Sequence, residues 1–182
     1  SLVYRENAAA MMRYVSKMEL PEAALGLVGW DGAHREEDIA PTIYYRWMYR
    51  TIQGAMADEF EAHSEEDAAE KFETWHKTIV SENTFPRLLA SPDSPWWDNL
   101  STQLIERPED IVSKALVAAI DDLTQALGPD HRAWHYNRLH TVTHHHAMTG
   151  VPIIGRWLDV GPFPVPAAKD ALNKYEFKLK EE

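Results

Sequence analysis

The segment of residues 107–130, RPEDIVSKALVAAIDDLTQALGPD, carries both a start and a stop signal for a helix. Pro108 with the acids that follow it is typical of a first helical turn, and Gly128-Pro129 is typical of a helix end. Between these signals the apolar residues recur at helical spacing: Ile111, Leu116, Ile120, Leu123 and Leu127. This pattern predicts the clearest amphipathic helix in the chain.

Three segments before residue 107 show a similar periodicity. The apolar stripes are Met11, Tyr14, Val15 and Met18 in the first, Ile43, Trp47, Ile52, Met56 and Phe60 in the second, and Ala68, Phe72, Trp75 and Ile79 in the third. Each predicts a helix with one apolar face. Residues 1–130 are therefore predicted to form a helical subdomain.

The character of the sequence changes after residue 130. LHTVTHHH alternates and is rich in Thr and Val, and VPIIGRWLDVGPFPVPAA carries four prolines. Both patterns indicate extended chain. We predict a mainly α protein with a minor β or extended C-terminal part, in which residues 131–182 form the extended segment.

Composition excludes several classes of function. The formal net charge is −11, whereas binding to nucleic acid needs clustered Lys and Arg. There is no cysteine, which removes disulfides and thiolate nucleophiles, and no apolar run approaches the roughly 18 residues of a membrane span. We expect neither a nucleic acid nor a membrane as partner. Because the chain opens without Met inside a helix-like pattern, we also expect it to be part of a longer protein.

The stretch NRLHTVTHHH raises the question of a metal site. On a strand, His140, His144 and His146 would share one face, and His135 or Asp159 could add a ligand for zinc. The alternative is that these imidazoles hydrogen-bond neighbouring backbone, since no carboxylate lies nearby to orient a metal-bound histidine. We favour the structural alternative and expect no metal bound to this chain.

Ser1 suggests a second site. An N-terminal serine whose own α-amine acts as the base is a complete nucleophile in one residue. Such a residue should begin a core strand, however, whereas the residues after Ser1 are helical in pattern. We therefore assign no catalytic residue to this chain.

The C-terminal sequence resembles the penicillin amidase family. The large chains of that family carry a Trp-Gly-x-Leu-His segment and later a Gly-Pro-Phe-Pro-Val-x-Gly-like element; here residues 136–140 read YNRLH and residues 161–165 read GPFPV. Upstream, residues 27–32, LVGWDG, are similar to the family's Leu-x-x-Trp-Asp-Gly turn. The resemblance covers most of the chain in the family's order. It departs from the family where Asn137 and Ala167 stand at positions that are usually Gly.

The resemblance implies a fragment of an αββα-type N-terminal nucleophile hydrolase. In such enzymes a precursor cleaves itself, and the exposed Ser attacks an acyl amide while an Asn side chain and backbone N–H groups hold the oxyanion. None of those residues maps onto this chain, and the calcium site of some relatives draws mainly on upstream residues. The implied role is the non-catalytic helical portion of an amidohydrolase in the periplasm or outside the cell. The implied partners are the remaining parts of the hydrolase and, for the whole enzyme, a small acyl amide.

Two other readings remain open. The chain could be a stand-alone helical binding module whose aromatic faces, with Trp47, Trp75, Trp96 and Trp97, take an apolar ligand or a protein. It could also be a metal-binding protein that uses the histidine cluster. In the hydrolase fragment, strands separated from their sheet would leave an unpaired edge, which favours a homodimer or a partner chain that covers it.

Overall fold

The computed structural model of the chain describes residues 2–63, 66–144 and 160–166. Its α-helices are α1 (Leu2–Tyr14), α2 (Ala40–His63), α3 (Ala68–His76), α4 (Ile79–Leu89) and α5 (Pro108–Leu127). Short 3₁₀ turns lie at Glu22–Leu27, Pro95–Trp97, His131–Ala133 and Tyr136–Arg138, and two strands lie at β1 (Thr141–His144) and β2 (Val160–Pro164). The prediction of a mainly helical chain with a minor strand part is confirmed.

Helices α2 and α5 pack along each other and form the centre of the core. The fully buried Trp47 of α2 donates from its indole Nε1 to the carbonyl of Val112 of α5 at 2.9 Å. A side chain at Gly54 would bring its Cβ to 3.1 Å from Ile111, so glycine allows the two helices to approach closely here. Burial of each large apolar side chain in this contact contributes roughly 1.5–3 kcal/mol relative to exposure.

Two of the predicted helices end earlier than their apolar stripes. Helix α1 ends at Tyr14, although Val15 beyond it is buried. Helix α3 ends at His76, and a new helix begins at Ile79. At this break the hydroxyl of Thr78 donates to the carbonyl of Trp75 at 2.6 Å. Hydroxyls that bond nearby carbonyls compete with the helical ladder, which the periodicity of apolar residues does not register.

The two strands form a small antiparallel sheet. Thr141 pairs with Pro164 and Val142 with Phe163, and the register shifts before His144 pairs with Val160. The backbone N–H of Val165 also donates to the carbonyl of His140 at 3.2 Å, which extends the contact past the end of the strands.

The chain between α5 and β1 belongs to the same core as the helices. Trp134 and Tyr136 are buried in one apolar cluster with residues of α1, α2 and α5. The division of the chain at residue 130 stays a prediction. In the part of the chain that the structure covers, the helices lack the combination of length and apolar character needed to cross a membrane.

Candidate functional site around His140

A tight turn places Trp30 at the edge of the core. Gly32 has a φ of +76°, a conformation that glycine adopts without steric cost. The indole Nε1 of Trp30 donates to the carbonyl of Ala33 at 3.0 Å, and the N–H of Ala33 donates to the Asp31 carboxylate at 2.9 Å. These local bonds explain why the Trp-Asp-Gly sequence forms this turn.

Residues 36–38, which follow the turn, are joined to residues 135–137 by hydrogen bonds. The backbone N–H groups of Tyr136 and Asn137 donate at 2.9 Å to the carbonyls of Asp38 and Glu36, respectively. The ring of His135 donates through Nδ1 to the carbonyl of Glu37 at 2.7 Å. The turn and the YNRLH segment are therefore held together, although about 100 residues separate them along the chain.

Aromatic rings fill the space between these segments and α2. They are Tyr4, Trp30, His34, Tyr44, Tyr45, Tyr136 and His140, which we call the ring cluster. His34 lies at its centre, with its ring centroid 5.6 Å from that of Trp30 and 5.5 Å from that of Tyr136. Tyr136 in turn stacks on His140 at 4.7 Å. The rings thus connect the Trp-Asp-Gly turn to the YNRLH segment.

His140 fastens the β2 region to the ring cluster. Its side chain is 1 % exposed, and its Nδ1 donates to the carbonyl of Val165 at 2.7 Å while its own carbonyl accepts from the N–H of Val165 at 3.2 Å. A donated Nδ1–H fixes one tautomer of the neutral ring. The preferred interpretation, in which imidazoles bond the backbone, therefore holds for His140.

Two phenols of the ring cluster, Tyr45 and Tyr136, stay protonated at neutral pH. Burial, followed by the influence of Tyr136 and Tyr4, raises the pKa of Tyr45 well above its usual value. Burial also raises the pKa of Tyr136, against a smaller opposing effect of its hydrogen bond with Tyr45. The hydroxyl of Tyr45 lies 2.9 Å from Nε2 of His34. These phenols act as hydrogen-bonding groups that order the cluster.

An ionic network lies on the other side of α2. Asp122 of α5 accepts from Nε of Arg46 at 2.6 Å and from two nitrogens of Arg50, each also at 2.6 Å. Burial alone would raise the pKa of Asp122, but the hydrogen bonds from Arg50 and Arg46 outweigh it and hold the pKa below its usual value. The guanidinium of Arg46 also lies over the ring of Tyr49 at 4.7 Å, and the Tyr49 hydroxyl bonds Glu73 of α3. The network therefore joins α2, α3 and α5.

The structure separates the histidines that the metal hypothesis groups together. His140 is buried, whereas His144 is exposed at the end of β1. Within residues 2–63, 66–144 and 160–166, no three His, Asp or Glu side chains converge as metal ligands. His146 and Asp159 lie outside the described residues, as does Ser1, so the proposals that involve them stay predictions.

The tryptophans of the binding-module hypothesis fall into two groups. Trp47 and Trp97 are almost fully buried, and Trp75 packs against Phe60 and Phe72. Trp96, by contrast, is 45 % exposed. Most of these rings therefore act as core.

Sequence reasoning identified His140 but missed its partners in the ring cluster. His34 and Tyr45 occupy no motif, and only the proximity of His34 to the Trp-Asp-Gly turn was a signal. The site is a hydrogen-bonded group of aromatic rings that connects the Trp-Asp-Gly turn, the YNRLH segment and α2. Its phenols and imidazoles stabilise an arrangement, and we assign no nucleophile to it.

Comparison with known proteins identifies the family of the chain. The family model for penicillin amidase matches residues 2–181. The acyl-homoserine lactone acylase QuiP of Pseudomonas aeruginosa is 25 % identical over 160 residues, which are 79 % of this chain and 18 % of that protein. The acylase of the same name from Pseudomonas syringae pv. syringae is 26 % identical over 124 residues, 65 % of this chain and 14 % of that protein. No solved structure matches.

These findings define the class of the protein. The matched range includes the Trp-Asp-Gly turn, the YNRLH segment and the GPFPV element that the ring cluster brings together, and the resemblance read from the sequence is confirmed. The chain belongs to the penicillin amidase family. It spans less than a fifth of the curated relatives named above.

Proposed function

We propose that this chain is the non-catalytic helical portion of an amidohydrolase of the penicillin amidase type. The observation that carries the proposal is the family match over residues 2–181 in a chain that corresponds to 14–18 % of its acylase relatives. The whole enzyme would have the αββα fold of N-terminal nucleophile hydrolases. Its catalytic serine and oxyanion donors would lie outside these residues.

The substrate of the whole enzyme would be an acyl amide. The relatives are named as acylases of acyl-homoserine lactones, which contain such a bond. In the proposed reaction a serine hydroxyl attacks the acyl carbon and its own α-amine takes the proton. The C–N bond of the amide then breaks and the substrate amine leaves with that proton. Water finally hydrolyses the acyl-enzyme to the free acid and restores the serine. The contribution of this chain is to support that site, with α2 and α5 as the rigid body and the ring cluster as the tie to the β1–β2 region.

Sequencing the DNA that flanks this coding region is the first test. A reading frame that continues upstream to a serine at the start of a core strand would support the proposal. Start and stop signals that bracket the 182 residues would contradict it.

Labelling of the nucleophile in the protein expressed from the whole reading frame is the second test. A sulfonyl fluoride that reacts with activated serines, followed by peptide mapping, should mark a residue outside this chain. A label on Ser1 would instead support a self-activated N-terminal serine in this chain. A label on any other serine of the chain would also overturn the proposal.

A binding module is the second candidate, and one observation favours it. The residues between Trp97 and α5 expose apolar side chains, with Leu100 at 59 %, Leu104 at 78 % and Ile105 at 81 % exposure. Exposed apolar groups that adjoin one another are typical of contact surfaces. Quenching of Trp96 fluorescence by a separate protein that binds there would support this candidate. In a hydrolase fragment, the same surface should instead contact the remaining parts of the hydrolase.

A further inference from the structure

Two adjacent carboxyl groups lie at the end of α2 with oxygens that lack a donor. Asp58 is 7 % exposed and Glu59 is half-buried. Oδ1 of Asp58 and Oε2 of Glu59 are both buried and accept no hydrogen bond. Buried carboxylate oxygens without donors are costly, because burial removes water and supplies nothing in its place. If both groups are ionised, these two buried oxygens therefore have no hydrogen-bond donor.

One proton on either carboxyl group would supply the missing hydrogen-bond donor. Asp58 and Glu59 are neighbours in the sequence, each has one buried oxygen without a donor, and a carboxyl group can donate only when it is protonated. Neighbouring carboxyls that share a site hold a proton in this way, because two like charges close together are unfavourable.

Asp58 also bonds the loop of residues 98–106, DNLSTQLIE, which we call the 98–106 loop. Its backbone N–H at Leu100 donates to Oδ2 of Asp58 at 2.6 Å. The loop also has its own internal bonds, since the Glu106 carboxylate accepts from the N–H of Asn99 at 3.1 Å and the Asp98 carboxylate accepts from the N–H of Glu106 at 3.2 Å. These bonds connect the residues of the loop to one another, and the bond to Asp58 connects the loop to α2.

We propose that Asp58 and Glu59 share one proton and that this proton fastens the 98–106 loop to the end of α2. With the proton present, Glu59 donates to Asp58, and Asp58 keeps its other oxygen for the N–H of Leu100. When the proton leaves, two carboxylates face each other beside Asp98 of the loop. Repulsion then weakens the hydrogen bond from the N–H of Leu100 to Asp58 and loosens the attachment of the loop to α2.

The surroundings of the pair are consistent with release near neutral pH. Burial first, and then the hydrogen bond and charge of Asp58, raise the pKa of Glu59 to about 7, and Asp98 adds to the increase. Two ionisable groups thus act on Glu59, Asp58 from its own helix and Asp98 from the loop, and both are acids. His63, one turn further along α2, bonds the carbonyl of Glu59 through Nδ1 at 2.7 Å. The inference does not depend on the proposed enzymatic role.

Amide hydrogen exchange at Leu100, measured by NMR on the intact protein, tests the proposal. After correction for intrinsic exchange rates, we expect the protection factor of this amide to fall about tenfold between pH 6 and 8. A tenfold change in an equilibrium constant corresponds to a shift of one pKa unit. The Glu59→Gln variant keeps a donor at every pH and should show no such change. Because imidazoles titrate in the same range, His63→Gln is the matched control, and it should keep the wild-type transition.

Three results would overturn the proposal. The first is constant protection of the Leu100 amide in the wild-type protein from pH 6 to 8. The second is a transition that persists in Glu59→Gln or disappears in His63→Gln. The third is recovery of protection at pH 8 when millimolar Ca²⁺ is added, since the pair would then be a cation site and not a proton site.

Discussion

Arg50 forms a bidentate ion pair with Asp122, in which Nε donates to Oδ2 and Nη2 donates to Oδ1, both at 2.6 Å. Such two-point pairs fix orientation as well as distance. Asp122 is 16 % exposed and Arg50 is 29 % exposed, so water screens the pair only in part. This contact, together with Arg46, sets how α2 and α5 lie against each other.

Asp122→Asn should lower the free energy of unfolding by about 2 kcal/mol, between the values typical of exposed and of buried ion pairs. The amide keeps the shape but leaves Arg46 and Arg50 without a counter-charge. Urea unfolding followed by circular dichroism measures the change. Asp121→Asn, at an exposed position next to it, is the control and should have little effect. Equal losses in the two variants would show that the pair does not stabilise the fold.

The stabilisation by Asp122 should also depend on pH. Its pKa is lowered in the folded protein from an ordinary value of 3.8. A carboxyl group with a lowered pKa stabilises the fold above its unfolded pKa, and this contribution disappears as the pH falls through the folded pKa. The difference in melting temperature between the wild type and Asp122→Asn should therefore be widest near neutral pH and narrow below about pH 4. A gap that widens in acid would contradict this assignment.

His140→Ala should destabilise the protein by about 3 kcal/mol, because it leaves a cavity in the core and removes the donor to Val165. His144→Ala removes an exposed imidazole and should change stability by less than about 0.5 kcal/mol. Thermal unfolding of both variants provides the comparison. Loss of stoichiometric zinc from His144→Ala, in a wild type that holds zinc through gel filtration, would revive the metal hypothesis instead.

The two environments of these histidines show what the sequence could and could not predict. The extended character of residues 141–144 followed from alternation, and the resemblance placed a family histidine at His140. The burial of His140, by contrast, depends on Tyr136 and Val165, which contact its ring. Period-two alternation carries no information about a register shift such as the one before His144.

Helices were predicted more reliably than their ends. The stripe of α5 and its Gly128-Pro129 stop correspond to the observed Pro108–Leu127 helix, because capping residues and apolar spacing agree there. The stripe of α3 ran on to Ile79 through a break at residues 77–78 that local hydroxyl bonds create. The ring cluster could not be predicted, since its members are distributed over more than 130 positions of the chain.

Trp47→Phe should cost about 2 kcal/mol, because it removes the indole donor to Val112 and leaves part of a buried cavity unfilled. Trp96→Phe alters a ring that is 45 % exposed and should be nearly neutral. Acrylamide quenching of the two variants separates the rings, since only Trp96→Phe should reduce the readily quenched fraction. If Trp47→Phe reduced that fraction instead, the assignment of Trp47 to the core would be wrong.

Gly128→Ala should destabilise the end of α5 by about 1–3 kcal/mol. The φ of +94° and ψ of 169° at Gly128 lie in a region that is essentially restricted to glycine. A Cβ there would meet no atom within 4 Å, so the cost comes from the backbone alone. Gly26→Ala, which also meets no atom and has an ordinary φ, is the matched control and should be close to neutral. Similar stabilities of the two variants would refute the backbone argument.

The pairing of α2 with α5 also has a consequence during synthesis. Trp47 and its acceptor Val112 are 65 residues apart, so α2 leaves the ribosome well before its main partner does. At 5–20 residues per second the interval is roughly 3 to 13 seconds. Through that interval Ile43, Trp47 and Ile52 have no α5 to cover them. A nascent chain paused between α2 and α5 would therefore be a preferred target for chaperones that bind apolar segments.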